Sequence, residues 1–189
     1  MNSRKILCLA GATLSLFLMD GSLRAQERTP EAQRAQRNAN RRANAPYSDE
    51  QFVRNAAEAS MSQVDLGKVA EQRSQTPEVK KFAQLMVEEH SKISEQLKQL
   101  GMSEGINLPT SVTRQDAATH RQLASSSGPA FDKAYVQQVI SDLQRQIAEF
   151  KRGNSTATKP ALKDYAERTL PTLESELQQA KQLLARVGH

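Results

Sequence analysis

Apolar residues recur every three or four positions in four long segments of this chain of 189 residues. This spacing is typical of amphipathic helices that bury one face. The four predicted helices cover residues 48–73, 77–100, 131–152 and 160–189. Ser48 or Asp49 can cap the first of them, and Thr76 followed by Pro77 is a start signal for the second. The pattern therefore predicts an all-α protein.

Residues 101–130 form a long connection between the second and third predicted helices, with Gly, Pro, Ser and Thr at both ends. A polar stretch within it can form a short helix from about Val112 to Leu123. A connection of about 30 residues is long enough to climb a whole bundle, as the crossover of ferritin-like proteins does. We therefore predict a four-helix bundle, ferritin-like, with a long crossover between helices 2 and 3. Pro171 should kink the fourth helix.

The N-terminus has the features of a secretory signal peptide. Arg4 and Lys5 precede an apolar run over residues 6–19, which is shorter than the roughly 20 residues of a membrane-spanning helix. We predict cleavage after Ala25, a periplasmic or secreted mature protein, and no transmembrane helix in it; an uncleaved anchor is the alternative. Cys8 is the only cysteine, so the mature chain has no disulfide and no cysteine nucleophile.

A basic arm, residues 26–47, separates the signal peptide (1–25) from the helical domain (48–189). The arm has almost no large apolar residue, so we expect it to be disordered. One interpretation is a solvated spacer; the other is a tether to anionic lipid or lipopolysaccharide. Nucleic acid is not an expected partner, because the chain is exported and the arm lacks aromatic residues before Tyr47. The arginines of the arm are Arg28, Arg34, Arg37, Arg41 and Arg42.

Four stretches of the chain carry a resemblance to a known family. They are FVRNAAEASMSQVDLGKVA, TPEVKKFAQLMVEEHSK, GPAFDKAYVQQVISD and LKDYAERTLPTLESELQQA. In order and spacing they resemble the domain-of-unknown-function family DUF4142, whose members are exported bacterial proteins grouped with ferritin-like folds. The resemblance covers nearly all of residues 51–184 and implies the bundle described above.

The resemblance also implies three histidines, of which this chain keeps one. His90 matches the family histidine of helix 2, but Leu143 follows Asp142 where a histidine is usual, and Glu176 stands at the third position. A reduced metal site of Glu58, His90, Asp142 and Glu176 could take Zn, Mn or Fe. The alternative interpretation is that His90 is a core histidine paired with a carboxylate or the backbone. Leu143 favours this alternative, because it fills volume and offers no lone pair.

The remaining chemistry of the chain is sparse. It has no phosphate-binding glycine loop, no H-E-x-x-H and no G-x-S-x-G motif. His120 and His189 are predicted to be exposed. Our leading hypothesis is a non-enzymatic envelope protein without a cofactor, which serves as an interaction or stress-related module with an unidentified partner. The alternatives are a ferritin-like protein that binds Fe, Mn or Zn, and a structural bundle that oligomerises.

Overall fold

The computed structural model describes residues 47–187 and, before them, five residues of helical backbone with exposed side chains: Pro30, Glu31, Gln33, Arg34 and Arg37. Residues 47–187 fold into helices without a strand, which confirms the all-helical prediction. The helices are α1 (Asp49–Arg73), α2 (Pro77–Glu104), α3 (Arg114–Ala124), α4 (Gly128–Thr156) and α5 (Pro160–Val187). The predicted signal peptide, the greater part of the predicted arm and His189 lie outside the described residues.

The long helices pair along their length. α1 packs against α2 and α4 packs against α5, and residues 74–76 and 157–159 make the short connections within these two hairpins. The hairpins meet mainly through α1 and α4, and α3 lies against both of those helices. Residues 47–187 therefore contain one helix more than the four of the predicted bundle, and this fifth helix lies within the predicted crossover. None of the helices in the described ranges is long and apolar enough to cross a membrane.

α1 and α2 begin where the sequence predicts, but their caps differ. The Ser48 hydroxyl accepts a hydrogen bond from the Gln51 amide N–H at 3.2 Å, and the Gln51 side chain accepts one from the Ser48 N–H at 3.1 Å. This reciprocal capping box satisfies two amide groups that the first turn leaves unpaired. Thr76 makes no such cap at the start of α2. Its hydroxyl instead donates to Asp132 Oδ2 of α4 at 2.5 Å, which links the two hairpins.

The predicted end of α2 is four residues too early. Gly101 was expected to follow the last helical residue, yet α2 continues to Glu104 and ends at Gly105, whose φ of 68° is left-handed. A Cβ atom at Gly101 would lie 3.1 Å from the carbonyl oxygen of Ile106 and 3.1 Å from Cγ of Leu108. Gly101 therefore allows the chain to fold back closely against α2, and Gly105 is the true terminating residue.

An aromatic cluster fills one end of the core. The rings of Phe52 and Phe150 are 5.3 Å apart in an edge-to-face arrangement, and Phe150 lies 6.0 Å from Tyr165. The Tyr165 hydroxyl donates to the backbone carbonyl of Ile93 at 3.3 Å. These contacts join α1, α4, α5 and α2 at a single level of the domain. α5 carries Tyr165 and continues through Pro171, so the proline does not end the helix.

Gly153→Ala should destabilise the protein although alanine is the better helix former. α4 extends past the predicted end to include this residue, and a Cβ there would lie 2.5 Å from ring carbons of the fully buried Phe52. Overpacking costs about 1–3 kcal/mol and exceeds the gain of about 1 kcal/mol in helix propensity. We expect a net loss of about 1 kcal/mol in urea unfolding.

Gln144→Ala, at an exposed position of α4, is the matched control and should change the free energy of unfolding by no more than about 0.5 kcal/mol. A Gly153→Ala protein more stable than the wild type would contradict the packing of Phe52 against α4.

Candidate metal centre

His90 and Glu176 meet in the interior between α2 and α5. Nε2 of His90 lies 3.2 Å from Oε2 of Glu176. The imidazole is fully buried, and the glutamate side chain is 2% exposed. The three-four repeat of α2 places His90 inward, and Glu176 occupies an inward position on α5 between Leu173 and Ala180. The fold thus brings together two of the four predicted ligands.

Each member of this pair keeps one polar atom without a partner. Nδ1 of His90 and Oε1 of Glu176 are buried and form no hydrogen bond with any described residue. A buried donor or acceptor left unsatisfied costs about 1–3 kcal/mol, and a buried carboxylate needs compensation for its charge. His90 and Glu176 therefore each carry a buried polar atom that could accept a further partner, and the lack of one lowers the stability of the fold.

Glu58 and Asp142 do not join this pair. They line a cleft of about 320 Å³ between α1, the start of α3 and α4, and neither His90 nor Glu176 is part of its wall. Asp142 accepts hydrogen bonds from the side chains of Gln138 and Arg145. Burial raises the pKa of Asp142, and these two partners oppose the rise. The four-residue site drawn from the sequence is therefore divided between the core and a surface cleft.

Leu143, at a position where the resemblance implies a histidine, lies in the core. It is fully buried on α4. Within the part of the chain that the structure describes, no group of three or more His, Cys, Asp or Glu side chains is placed to hold a metal ion. A metal centre at His90 and Glu176 would therefore need additional ligands of another kind.

The prediction that His120 is exposed is wrong. The residue is 8% exposed, and Nε2 of its ring lies 3.2 Å from the hydroxyl oxygen of Ser62 on α1. Burial lowers the pKa of His120, although the nearby carboxylates of Asp116, Asp65 and Asp142 act in the opposite direction. His120 thus fixes α3 against α1. The sequence of α3 does not indicate this contact, because His120 is the only buried residue in an otherwise more exposed, polar helix.

Two buried glutamines in the wall of the cleft have no sequence motif that marks them. Gln63 is 1% exposed and Gln146 is 2% exposed. Gln146 donates a hydrogen bond to the Ser60 hydroxyl at 3.2 Å, but its Oε1 has no partner. Both polar atoms of the Gln63 amide also lack a hydrogen-bond partner. Only the positions of these residues on the inward faces of α1 and α4 indicate burial.

The family assignment follows from a match over most of the chain. The model of DUF4142, a domain of unknown function, matches residues 32–183. The chain belongs to the DUF4142 family. This confirms the resemblance carried by the four stretches described above. No curated protein matches the chain.

Two solved structures share the fold of this DUF4142 protein. CopM in the Cu(II)-bound form matches with a TM-score of 0.63 and 16% identity, over 74% of this chain and 97% of CopM. CopM in the Cu(I)-bound form matches with a TM-score of 0.61 and 18% identity, over 75% and 98% of the two chains. At this level of identity the likeness shows a common fold.

Replacing His90 and Glu176 should have strongly non-additive effects on stability. His90→Leu leaves the Glu176 carboxyl group buried without its partner, which typically costs about 3–5 kcal/mol. Adding Glu176→Leu removes the stranded group, so we expect the double variant to be more stable than His90→Leu alone. Urea unfolding of the four proteins at neutral pH measures the coupling. Simply additive losses would show that the two side chains do not depend on each other.

His120 should make the protein less stable as the pH falls. Its unfolded pKa is close to the ordinary 6.5 and its folded pKa is lower, so the unfolded chain takes up the proton first. The contribution of His120 to the free energy of unfolding is complete above its pKa in the unfolded chain. It is lost as the pH falls through its pKa in the folded protein. Between about pH 7.5 and about pH 5.5 we expect a loss of at most about 1.4 kcal/mol per pH unit.

His120→Gln should flatten that slope in urea unfolding. The raised pKa of Asp142 acts in the opposite sense, since protonation of that carboxyl favours the folded state, so the comparison with wild type isolates the histidine. Identical slopes in the two proteins would rule out a buried, neutral His120.

Proposed function

We propose that this DUF4142 protein is an exported, non-catalytic binding protein that holds one transition-metal ion between His90 and Glu176. The observation that carries the proposal is the enclosed pair itself. An imidazole and a carboxylate face each other in the core, with Nε2 of His90 3.2 Å from Oε2 of Glu176. Because packed helices enclose both side chains, the site suits the holding of an ion better than the admission of a substrate.

The spacing of the pair is compatible with a bridging ion. Nε2 and Oε2 are 3.2 Å apart, which is longer than the roughly 2.7–2.9 Å of a charge-assisted hydrogen bond. Two ligands that each lie about 2.0–2.1 Å from a tetrahedral metal ion are about 3.3 Å from one another. The two side chains would therefore have to move little to accept the ion.

Neighbouring chemistry favours a soft or borderline ion. Met86 lies one turn before His90 on the buried face of α2 and is itself fully buried. A thioether selects Cu(I), and imidazole suits both copper and zinc. CopM, which shares the fold, is known in Cu(II)-bound and Cu(I)-bound forms. We therefore rank copper first and zinc second. Fe and Mn rank lower, because the pair supplies a single carboxylate.

Grooves along the seam between α2 and α5 support access to this pair from solvent. One groove, of about 910 Å³, includes Ile93 and Thr172 in its wall. The other, of about 520 Å³, includes Leu85 and Gln179. The metal-binding pair lies between these two levels along both helices. An ion would enter from a groove by displacing the side chains that separate it from His90 and Glu176.

The architecture and location that accompany this function are also proposals. We take the four long helices as a ferritin-like four-helix bundle, with α3 as a short helix inside the crossover. The two hairpins and the long connection between α2 and α4 support this topology. The signal-like residues 1–25 support export to the periplasm or beyond. The exposed Arg34 and Arg37 support contact of the basic arm with anionic lipid or lipopolysaccharide.

Elemental analysis tests the metal proposal directly. The mature chain, residues 26–189 without an affinity tag, is purified from periplasm, incubated with Cu(II) or Zn²⁺ and dialysed. We expect close to one equivalent of metal in the wild type and a loss of it in His90→Ala and Glu176→Gln, because each change removes one ligand.

His120→Gln is the matched control, since it removes the other described histidine, which is also buried. It should retain the metal of the wild type. Helical circular dichroism of each variant separates loss of a ligand from loss of the fold. A folded wild-type protein that retains no metal would contradict the proposal.

A further inference from the structure

The cleft between α1, the start of α3 and α4 is acidic. Four carboxylates and one arginine belong to its wall. Three of the carboxylates are engaged by neighbouring side chains, and Glu58 has no hydrogen-bond or ion-pair partner among the described residues. The engaged groups are Glu149 with Asn55 and Tyr47, Asp142 with Gln138 and Arg145, and Asp116 with Thr113. The wall therefore offers a free negative charge at Glu58.

Buried amide groups give this cleft acceptors that an ordinary acidic surface lacks. Gln63 and Gln146 line it, and both are at least 98% buried. Their Oε1 atoms have no hydrogen-bond partner. Each such atom costs about 1–3 kcal/mol if it stays unsatisfied. Glu58 and the two glutamines line the same cleft, and together they carry three acceptor groups without a hydrogen-bond partner among the described residues.

A bare metal ion does not suit this set. The cleft carboxylates do not form a group of three that could surround an ion, within the part of the chain that the structure describes. An anion is excluded by the excess of negative charge. A primary ammonium group has three N–H donors and one positive charge, which matches three acceptor groups, one of them charged. The volume of about 320 Å³ limits the ligand to a small molecule.

We propose that this cleft binds a small organic cation of the diamine or polyamine class. One primary ammonium group of the ligand donates to Glu58, Gln63 and Gln146. The second positive group of the ligand lies near the remaining carboxylates of the wall. The raised pKa of Asp142, caused chiefly by burial, agrees with a carboxyl whose charge is incompletely balanced without a ligand. This site is separate from the metal-binding pair and does not depend on it.

Isothermal titration of the mature chain with spermidine at fixed ionic strength tests the proposal. We expect saturable binding of one equivalent. Tetramethylammonium, which carries the charge without any N–H donor, should not compete. Glu58→Gln should lower the affinity for spermidine at least about tenfold, because it removes the charged acceptor of the ammonium group. Gln63→Leu should also lower this affinity, because it removes an amide acceptor.

Glu167→Gln is the control, since it makes the same change of charge at an exposed position of α5 outside the cleft. It should leave the affinity unchanged. Amide chemical shifts in the wild type should move around residues 58, 63 and 146 on addition of spermidine. Absence of saturable binding, or an equal loss of affinity in Glu58→Gln and Glu167→Gln, would overturn the proposal.

Discussion

The contact between His90 and Glu176 constrains how the helices of this domain pack. A separation of 3.2 Å between two enclosed polar side chains requires α2 and α5 to keep a fixed spacing. Their neighbours supply that spacing, because α1 holds α2 and α4 holds α5. The hydroxyl of Tyr165 adds a direct tie from α5 to the backbone of α2 at Ile93, three residues after His90. Tyr165, which packs against Phe150, thus links α5 to α2 close to His90 in the sequence.

Much of the fold could be predicted from the sequence, because apolar residues at three- and four-residue steps decide which face of a helix is buried. The repeat of apolar residues along α2 is enough to place His90 on the buried face of that helix. The helix ends were less predictable. Gly101 and Gly153 look like termination signals, yet both lie within helices, where their missing side chains allow close approach of Leu108 and Phe52 respectively. A close approach between distant segments leaves no local signal.

The candidate site was only partly predictable for a related reason. The resemblance placed Asp142 and Glu176 beside family histidine positions, and Glu58 completed a reduced site with them; in the fold, Glu176 is the one of these three that contacts His90. Burial of His120 was missed because its neighbours on α3 are polar and the contact with Ser62 is made across the fold. The resemblance to the DUF4142 family agreed with the predicted helices and directed attention to His90. It could not show which acceptor atoms remain without partners.

The most direct test of whether His90 and Glu176 hold a metal ion is to follow the ¹⁵N resonances of the His90 ring nitrogens. The mature protein is titrated with Zn²⁺, which serves as a diamagnetic probe. If the pair holds an ion, one equivalent of Zn²⁺ moves the Nε2 resonance of His90 to the metal-bound range and removes any proton from that atom. His120 should be unaffected. His90 signals that stay unchanged through the titration would contradict the account and leave the imidazole and carboxylate as a purely structural pair.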